Sequence, residues 1–121
     1  MTGEMSYEDL KDYPQMFEIA KKISKYFRGP NNERAKTAVK PFDVYQGPYV
    51  AIYFSEYSKF YKDGRDLGSW NAEIWFDNED EMGDILFIKY RNRYFYTTLK
   101  TVVKDLKAVL IGKKKEVPNN V

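Results

Sequence analysis

Apolar side chains recur at helical spacing near both ends of the chain and at strand spacing between them. From Gln15 to Phe27 the residues Met16, Ile19, Ala20, Ile23 and Phe27 share one side of a helical wheel, with Glu18, Lys21, Lys22 and Lys25 opposite. Pro14 suits the first position of that helix, and the run Ser6-Tyr7-Glu8-Asp9 before it matches a capping box. Arg28-Gly29-Pro30-Asn31-Asn32 stops the helix. A second helix is predicted after Thr97 or Thr98, with Leu99, Val102, Val103, Leu106 and Leu110 as its apolar stripe and Gly112 closing it.

Between the helices the period changes to two. Residues 43–45 and 49–56 read as strands around a Gly47-Pro48 turn, and 70–76 as a strand. That strand carries Trp70, Ala72, Ile74 and Phe76 on one face and Asn71, Glu73 and Trp75 on the other. Residues 85–90 and 93–97 read as a hairpin around Arg91-Asn92. Residues 33–41 show no clear period and read as a basic linker, 57–68 as a polar loop, and 77–83 as an acidic turn. The predicted order is α–β–β–β–β–α. Short connections favour an antiparallel meander, because parallel neighbours need long crossovers. The expected architecture is a two-layer α+β domain over residues 1–112, a four-stranded sheet with both helices on one face, followed by a basic, flexible tail at 113–121.

If the helices cover Val50, Ile52, Phe54, Ala72, Ile74, Phe76, Leu86, Ile88 and Phe95, the opposite face presents Tyr49, Ala51, Tyr53, Glu73, Trp75, Ile85, Phe87, Lys89, Tyr94 and Tyr96. A half-buried hairpin ordinarily shows one greasy and one polar face, and this one is apolar or aromatic on both. The assignment rests on register, since a slip of one residue exchanges the faces.

Composition sharpens this picture. Aromatic residues make up 17% of the 121, with 11 Tyr and 8 Phe, and the rings need either partners or a wet surface. There is no Cys and no His, which excludes disulfides, zinc fingers, thiolate chemistry and imidazole proton shuttling. The absence of Cys, with many Lys, Glu and Tyr, fits a cytoplasmic or thermophilic setting. No apolar run reaches the roughly 18 residues of a membrane span, and the first residues, MTGEMSYED, are acidic where a signal peptide is basic.

Net charge is only +2, but it is segregated. Arg28, Arg34, Lys36 and Lys40 face Glu33 alone; Asp77, Glu79, Asp80, Glu81 and Asp84 cluster without a base; Lys89, Arg91, Arg93 and Lys100 run without an acid. Lys113-Lys114-Lys115 adds a basic tail.

An aromatic sheet face with basic residues at its margin suits single-stranded DNA or RNA. Every base has a π-face, each stack contributes about 1–3 kcal/mol, and Lys or Arg neutralises phosphates. On this reading Tyr53, Trp75, Phe87, Tyr94 and Tyr96 stack bases, while Lys89, Arg91 and Arg93, helped by Lys36 or Lys40, hold the backbone. The expected partner is a single strand, with no cofactor, no metal and no membrane. A second reading gives the same face to protein contact, as a homodimer, inhibitor or adaptor interface. The 33–41 linker, the 57–68 loop or the N-terminal turn lying across the face would also bury it. A third reading is a metal-dependent nuclease using Asp43, Glu56 and Lys59, or Glu73, Asp84 and Lys89, although neither set has the acid-x-Lys spacing of such sites. The acidic turn lacks the spacing of a calcium loop, and Gly64-Arg65-Asp66-Leu67-Gly68 lacks the lysine of a phosphate loop. No residue motif assigns a family. The element order and aromatic sheet face are similar to those of small single-strand-binding proteins of hyperthermophilic archaea, a likeness of architecture alone.

Overall fold

A computed structural model describes residues 3–29, 32–54, 70–78, 80 and 83–118. Helix α1 spans Pro14–Tyr26 and α2 spans Val102–Leu110. Between them lie β1 (Lys36–Asp43), β2 (Gly47–Tyr53), β3 (Ala72–Phe76), β4 (Ile85–Tyr90) and β5 (Arg93–Thr98). They form one antiparallel sheet in the order β1-β2-β3-β4-β5. The α+β class and the meander are as expected, but the sheet has five strands rather than four.

The additional strand, β1, occupies the stretch expected to be a linker. Thr37 and Val39 alternate with Lys36, Ala38 and Lys40, but small and basic residues mask the period. Pro41 argues against a central strand, yet β1 is an edge strand and its register shifts between Lys40 and Asp43. An edge or a bulge is where a strand proline is tolerated. The turn that follows is also displaced. The Asp43 side chain accepts from the backbone N–H groups of Tyr45 and Gln46 at 2.9 and 2.7 Å, so residues 44–46 turn and Gly47-Pro48 open β2.

Both helices pack on one face. Met16, Ile19, Ile23 and Phe27 from α1 and its C-cap, and Val102, Leu106 and Val109 from α2, meet Val50, Ile52, Phe54, Ala72, Ile74, Leu86, Ile88 and Phe95 in one buried cluster. The predicted helix-covered face is therefore right at these positions. Trp70 is the exception: it precedes β3 and packs with Tyr49, Ala51 and Tyr53 on the second face. Strand alternation starts only at Ala72, so it does not bind Trp70 to the core side.

Local chemistry sets the ends of the elements. Ser6 and Asp9 form the anticipated capping box: the Ser6 N–H donates to the Asp9 carboxylate at 2.8 Å, and the Asp9 N–H to Ser6 Oγ at 3.3 Å. They start a 3-10 turn at Glu8–Asp12, ahead of the proline-initiated α1. Arg91 and Asn92 both have positive φ (52° and 62°), as a two-residue type I′ hairpin requires. Helix α2 starts later than expected because Thr98–Thr101 first makes a turn. Gly112, at φ 73°, closes α2, and the Lys113 N–H returns to the Ala108 carbonyl at 2.8 Å.

Asp105 on α2 ties three elements together. It accepts from Thr97 Oγ1 of β5 and from Thr101 Oγ1, each at 2.8 Å, and Lys114 Nζ lies 3.4 Å away. Partial burial pushes the carboxyl up, but the two hydroxyls and the lysine outweigh it and hold its pKa below the ordinary 3.8. The segment expected to be a flexible tail turns back here. Beyond Lys114, the Val117 N–H donates to the Tyr94 carbonyl at 2.8 Å, on the open edge of β5.

Candidate functional site

Register carries a row of side chains across the second face. Lys40, Tyr49, Trp75, Phe87 and Tyr96 are successive cross-strand partners from β1 to β5. The next row is Ala38, Ala51, Glu73, Lys89 and Tyr94. The first row is aromatic in four strands. The second begins with two alanines, and their small size leaves room for Trp70 to pack against Ala51.

On the β1–β3 side the rings satisfy one another. Tyr49 and Trp75 stack with centroids 4.5 Å apart and planes 20° apart. Phe42 meets the edge of Trp75 at 5.4 Å, and Trp70 sits 5.8 Å from Tyr49 and 6.5 Å from Tyr53. Such pairs add about 0.5–1.5 kcal/mol each beyond area burial. Tyr49 is 8% exposed and Tyr53 only 4%. Tyr53, expected to stack a base, is thus enclosed and has no open ring face to offer.

On the β4–β5 side the rings are open. Phe87 stacks on Tyr96 at 5.1 Å and meets Tyr94 edge-on at 6.4 Å. Tyr94 and Tyr96 are each 45% exposed. Lys89 Nζ lies 5.9 Å from the centroid of Tyr94. Phe87, Tyr94, Tyr96 and Lys89 are therefore brought together as the sequence suggests. Trp75 joins them at the centre of the sheet, half-buried.

The two arginines belong elsewhere. The Arg91 guanidinium lies 5.1 Å over the Tyr90 ring, and Tyr90 packs against the helix-side core. Arg93 pairs with Tyr90 and alternates with Phe95 and Thr97, which also places it on the helix side. The bases on the aromatic face are instead Lys89, with Lys36 and Lys40 from β1. Lys40 Nζ lies 4.8 Å over the Trp70 ring.

Between the two sets of rings is a cleft of about 350 Å³, lined by Phe42, Gln46, Tyr49, Trp70, Glu73, Trp75, Lys89 and Tyr94. Glu73 is fixed within it. Trp70 Nε1 donates to its Oε2 at 2.6 Å, and Trp75 Nε1 donates to its Oε1 at 2.7 Å. The two indoles thus hold one carboxylate by both oxygens. Phe42 and Trp70 are site residues that the sequence pattern does not reveal. Phe42 belongs to β1, whose period the sequence hides, and the period of β3, extended two residues before its start, points Trp70 falsely to the core.

A second basic surface lies on the helical layer. Lys22, Lys100, Lys104, Lys107 and Lys113 border a groove of about 580 Å³ between α1 and α2, with Lys22 Nζ bonded to the Leu99 and Lys100 carbonyls at 2.7 and 3.0 Å.

No protein-family model, curated protein or solved structure matches the chain.

Three expectations bear on what covers the aromatic face. Residues 36–41 of the supposed linker are inside the sheet rather than over it. The N-terminal segment bonds to the end of β1, through Met5 N–H to Phe42 O at 3.2 Å and Val44 N–H to Gly3 O at 2.8 Å. The 57–68 loop lies outside the described residues, as do Glu56 and Lys59 of one nuclease set and the Gly64–Gly68 segment. Among the described residues no three acidic side chains group as a metal site. No helix among them is long and apolar enough to cross a membrane.

Proposed function

We propose that this domain binds single-stranded nucleic acid without catalysis, along the β4–β5 half of its aromatic face. The supporting observation is the pairing of two half-open tyrosines, Tyr94 and Tyr96, with Phe87 and Lys89 on adjacent paired strands. Rings held on a sheet lose little freedom when a base stacks on them, and a lysine between them reaches a phosphate without leaving the face. Lys40 and Lys36 extend the positive margin to β1. The acidic 77–84 turn, by repulsion, directs the strand away from its end of the sheet.

The test is anisotropy with a labelled oligothymidylate on wild type, Tyr94→Ala and Tyr96→Ala, alongside thermal melts. Each ring lost should weaken binding roughly 5- to 150-fold, the equivalent of one base stack. Melting temperatures should stay close to wild type. Unchanged affinity would refute the platform.

A protein interface on the same face is the second reading, and Ile85 favours it. It is 38% exposed on β4, two residues from Phe87, and an aliphatic side chain stacks no base. Sedimentation of wild type against Ile85→Glu distinguishes the two. A dimer dispersed by that charge, with no oligonucleotide binding, would give the face to protein.

A further inference from the structure

We infer that the cleft around Glu73 and Lys89 reads guanine, so that the bound strand is G-preferring rather than sequence-neutral. This rests on the single-strand reading above and adds a base-recognition site to it. A stacking platform alone does not discriminate, because every base has a π-face. Glu73 differs from the other side chains of the face. It is a carboxylate held rigid in an aromatic cleft, with one indole N–H on each oxygen. An ionised carboxylate is acceptor-only and has about four lone-pair sites, so about two remain after the indoles are counted.

Lys89 is the direct cross-strand partner of Glu73 and lines the same cleft, yet its ammonium lies over Tyr94. Glu73 brings two acceptors and Lys89 one donor to the lining of the same cleft. Guanine carries the complement on its Watson–Crick edge, with N2–H and N1–H as donors and O6 as acceptor. Cytosine and adenine offer one exocyclic amino group each to the carboxylate. Thymine and uracil offer a single imide N–H flanked by carbonyl oxygens that a carboxylate repels. The order expected is guanine first, then cytosine and adenine, with thymine and uracil last. The cleft, about 350 Å³, is at the small end of ligand sites and suits one flat ring system. Phe42, Tyr49, Trp70, Trp75 and Tyr94 supply its aromatic lining.

The experiment compares labelled oligothymidylates carrying one central guanine, hypoxanthine, cytosine or adenine, or none, at fixed salt. Hypoxanthine keeps N1–H and O6 but lacks the 2-amino group, so it removes one donor and little else. The guanine strand should bind about tenfold tighter than the all-thymine strand, with hypoxanthine in between, the scale of one or two hydrogen bonds. Glu73→Gln should erase the guanine advantage while the all-thymine strand binds at least as well, since a repelling charge is gone. That substitution also replaces one of the two oxygens that hold the indoles, so Lys89→Met serves as the second variant. It should reduce the guanine advantage through O6 without touching either tryptophan. Equal affinity for all strands would overturn guanine recognition and leave the platform standing. No binding to any strand would overturn both. A guanine advantage that survives Glu73→Gln and Lys89→Met would move recognition outside this cleft and refute the assignment.

Discussion

On the β1–β3 half of the second face Tyr49 is 8% exposed, stacked on Trp75 and flanked by Phe42 and Trp70, whereas on the β4–β5 half Tyr94 and Tyr96 are 45% exposed around Phe87. The residue types and the pleat are the same. What differs is the neighbourhood. Ala38 and Ala51 make space on the first half, and Trp70 enters it from outside the strand. The second half has Lys89 and Tyr94 in the corresponding row, and Tyr96 stays half open beside Phe87. An aromatic sheet face is thus not one kind of surface. Half of this one is a small second core, and half is open.

The largest effect should come from breaking the closed half. Tyr49→Ala should cost about 3–5 kcal/mol of stability, the range for large-to-small changes at buried rings, read by denaturant unfolding. Tyr96→Ala should cost less than about 1.5 kcal/mol, because its main loss is the stack on Phe87. If the two variants are equally destabilised, the two halves are one core and the distinction fails.

Asp105 offers a way to loosen the open half from behind, since it holds Thr97 of β5, Thr101 before α2 and Lys114 together. Its folded pKa lies below the unfolded 3.8. The stability it contributes is therefore fully present above that value and is lost as pH falls through the folded one. Asp105→Asn should cost about 1 kcal/mol at neutral pH. Its acid unfolding profile should also be flatter than wild type as pH falls from 3.8 through the lowered folded value. A variant that keeps the full wild-type acid slope would remove Asp105 from this role.

The smallest effects should separate the lysine from the arginines. Lys89→Ala should lower the salt slope of binding to an all-thymine strand, which has no guanine O6 to take the ammonium, by about 0.7, one phosphate contact on a single strand. Arg93→Ala should leave the slope unchanged, because β5 points that side chain to the helical layer. A slope that follows Arg93 instead would place the strand at the hairpin tip.

Legibility in the sequence follows the strength of periodicity. Both helices, the β4–β5 hairpin with its Arg91-Asn92 turn, and the two faces of β2–β4 are readable because bulky residues alternate or recur without interruption. Strand β1 is hidden by its lysines, its alanine and Pro41, all of which an edge strand with a bulge accommodates. Trp70 and the enclosed state of Tyr53 are hidden for another reason. Which rings close over one another depends on packing between strands far apart in sequence, and the pattern within one strand contains no record of it. Arg91 and Arg93 are misplaced relative to the face when charge is read by proximity in sequence, because the pleat sends neighbours to opposite sides.

The most direct measurement is a titration of the protein with labelled single-stranded oligonucleotide at two salt concentrations, following anisotropy and tryptophan emission together. Trp70 and Trp75 both line the cleft, so the predicted result is binding that weakens with salt and quenches the indoles. No binding at low salt, or binding that leaves tryptophan emission unmoved, would contradict a strand lying on this face.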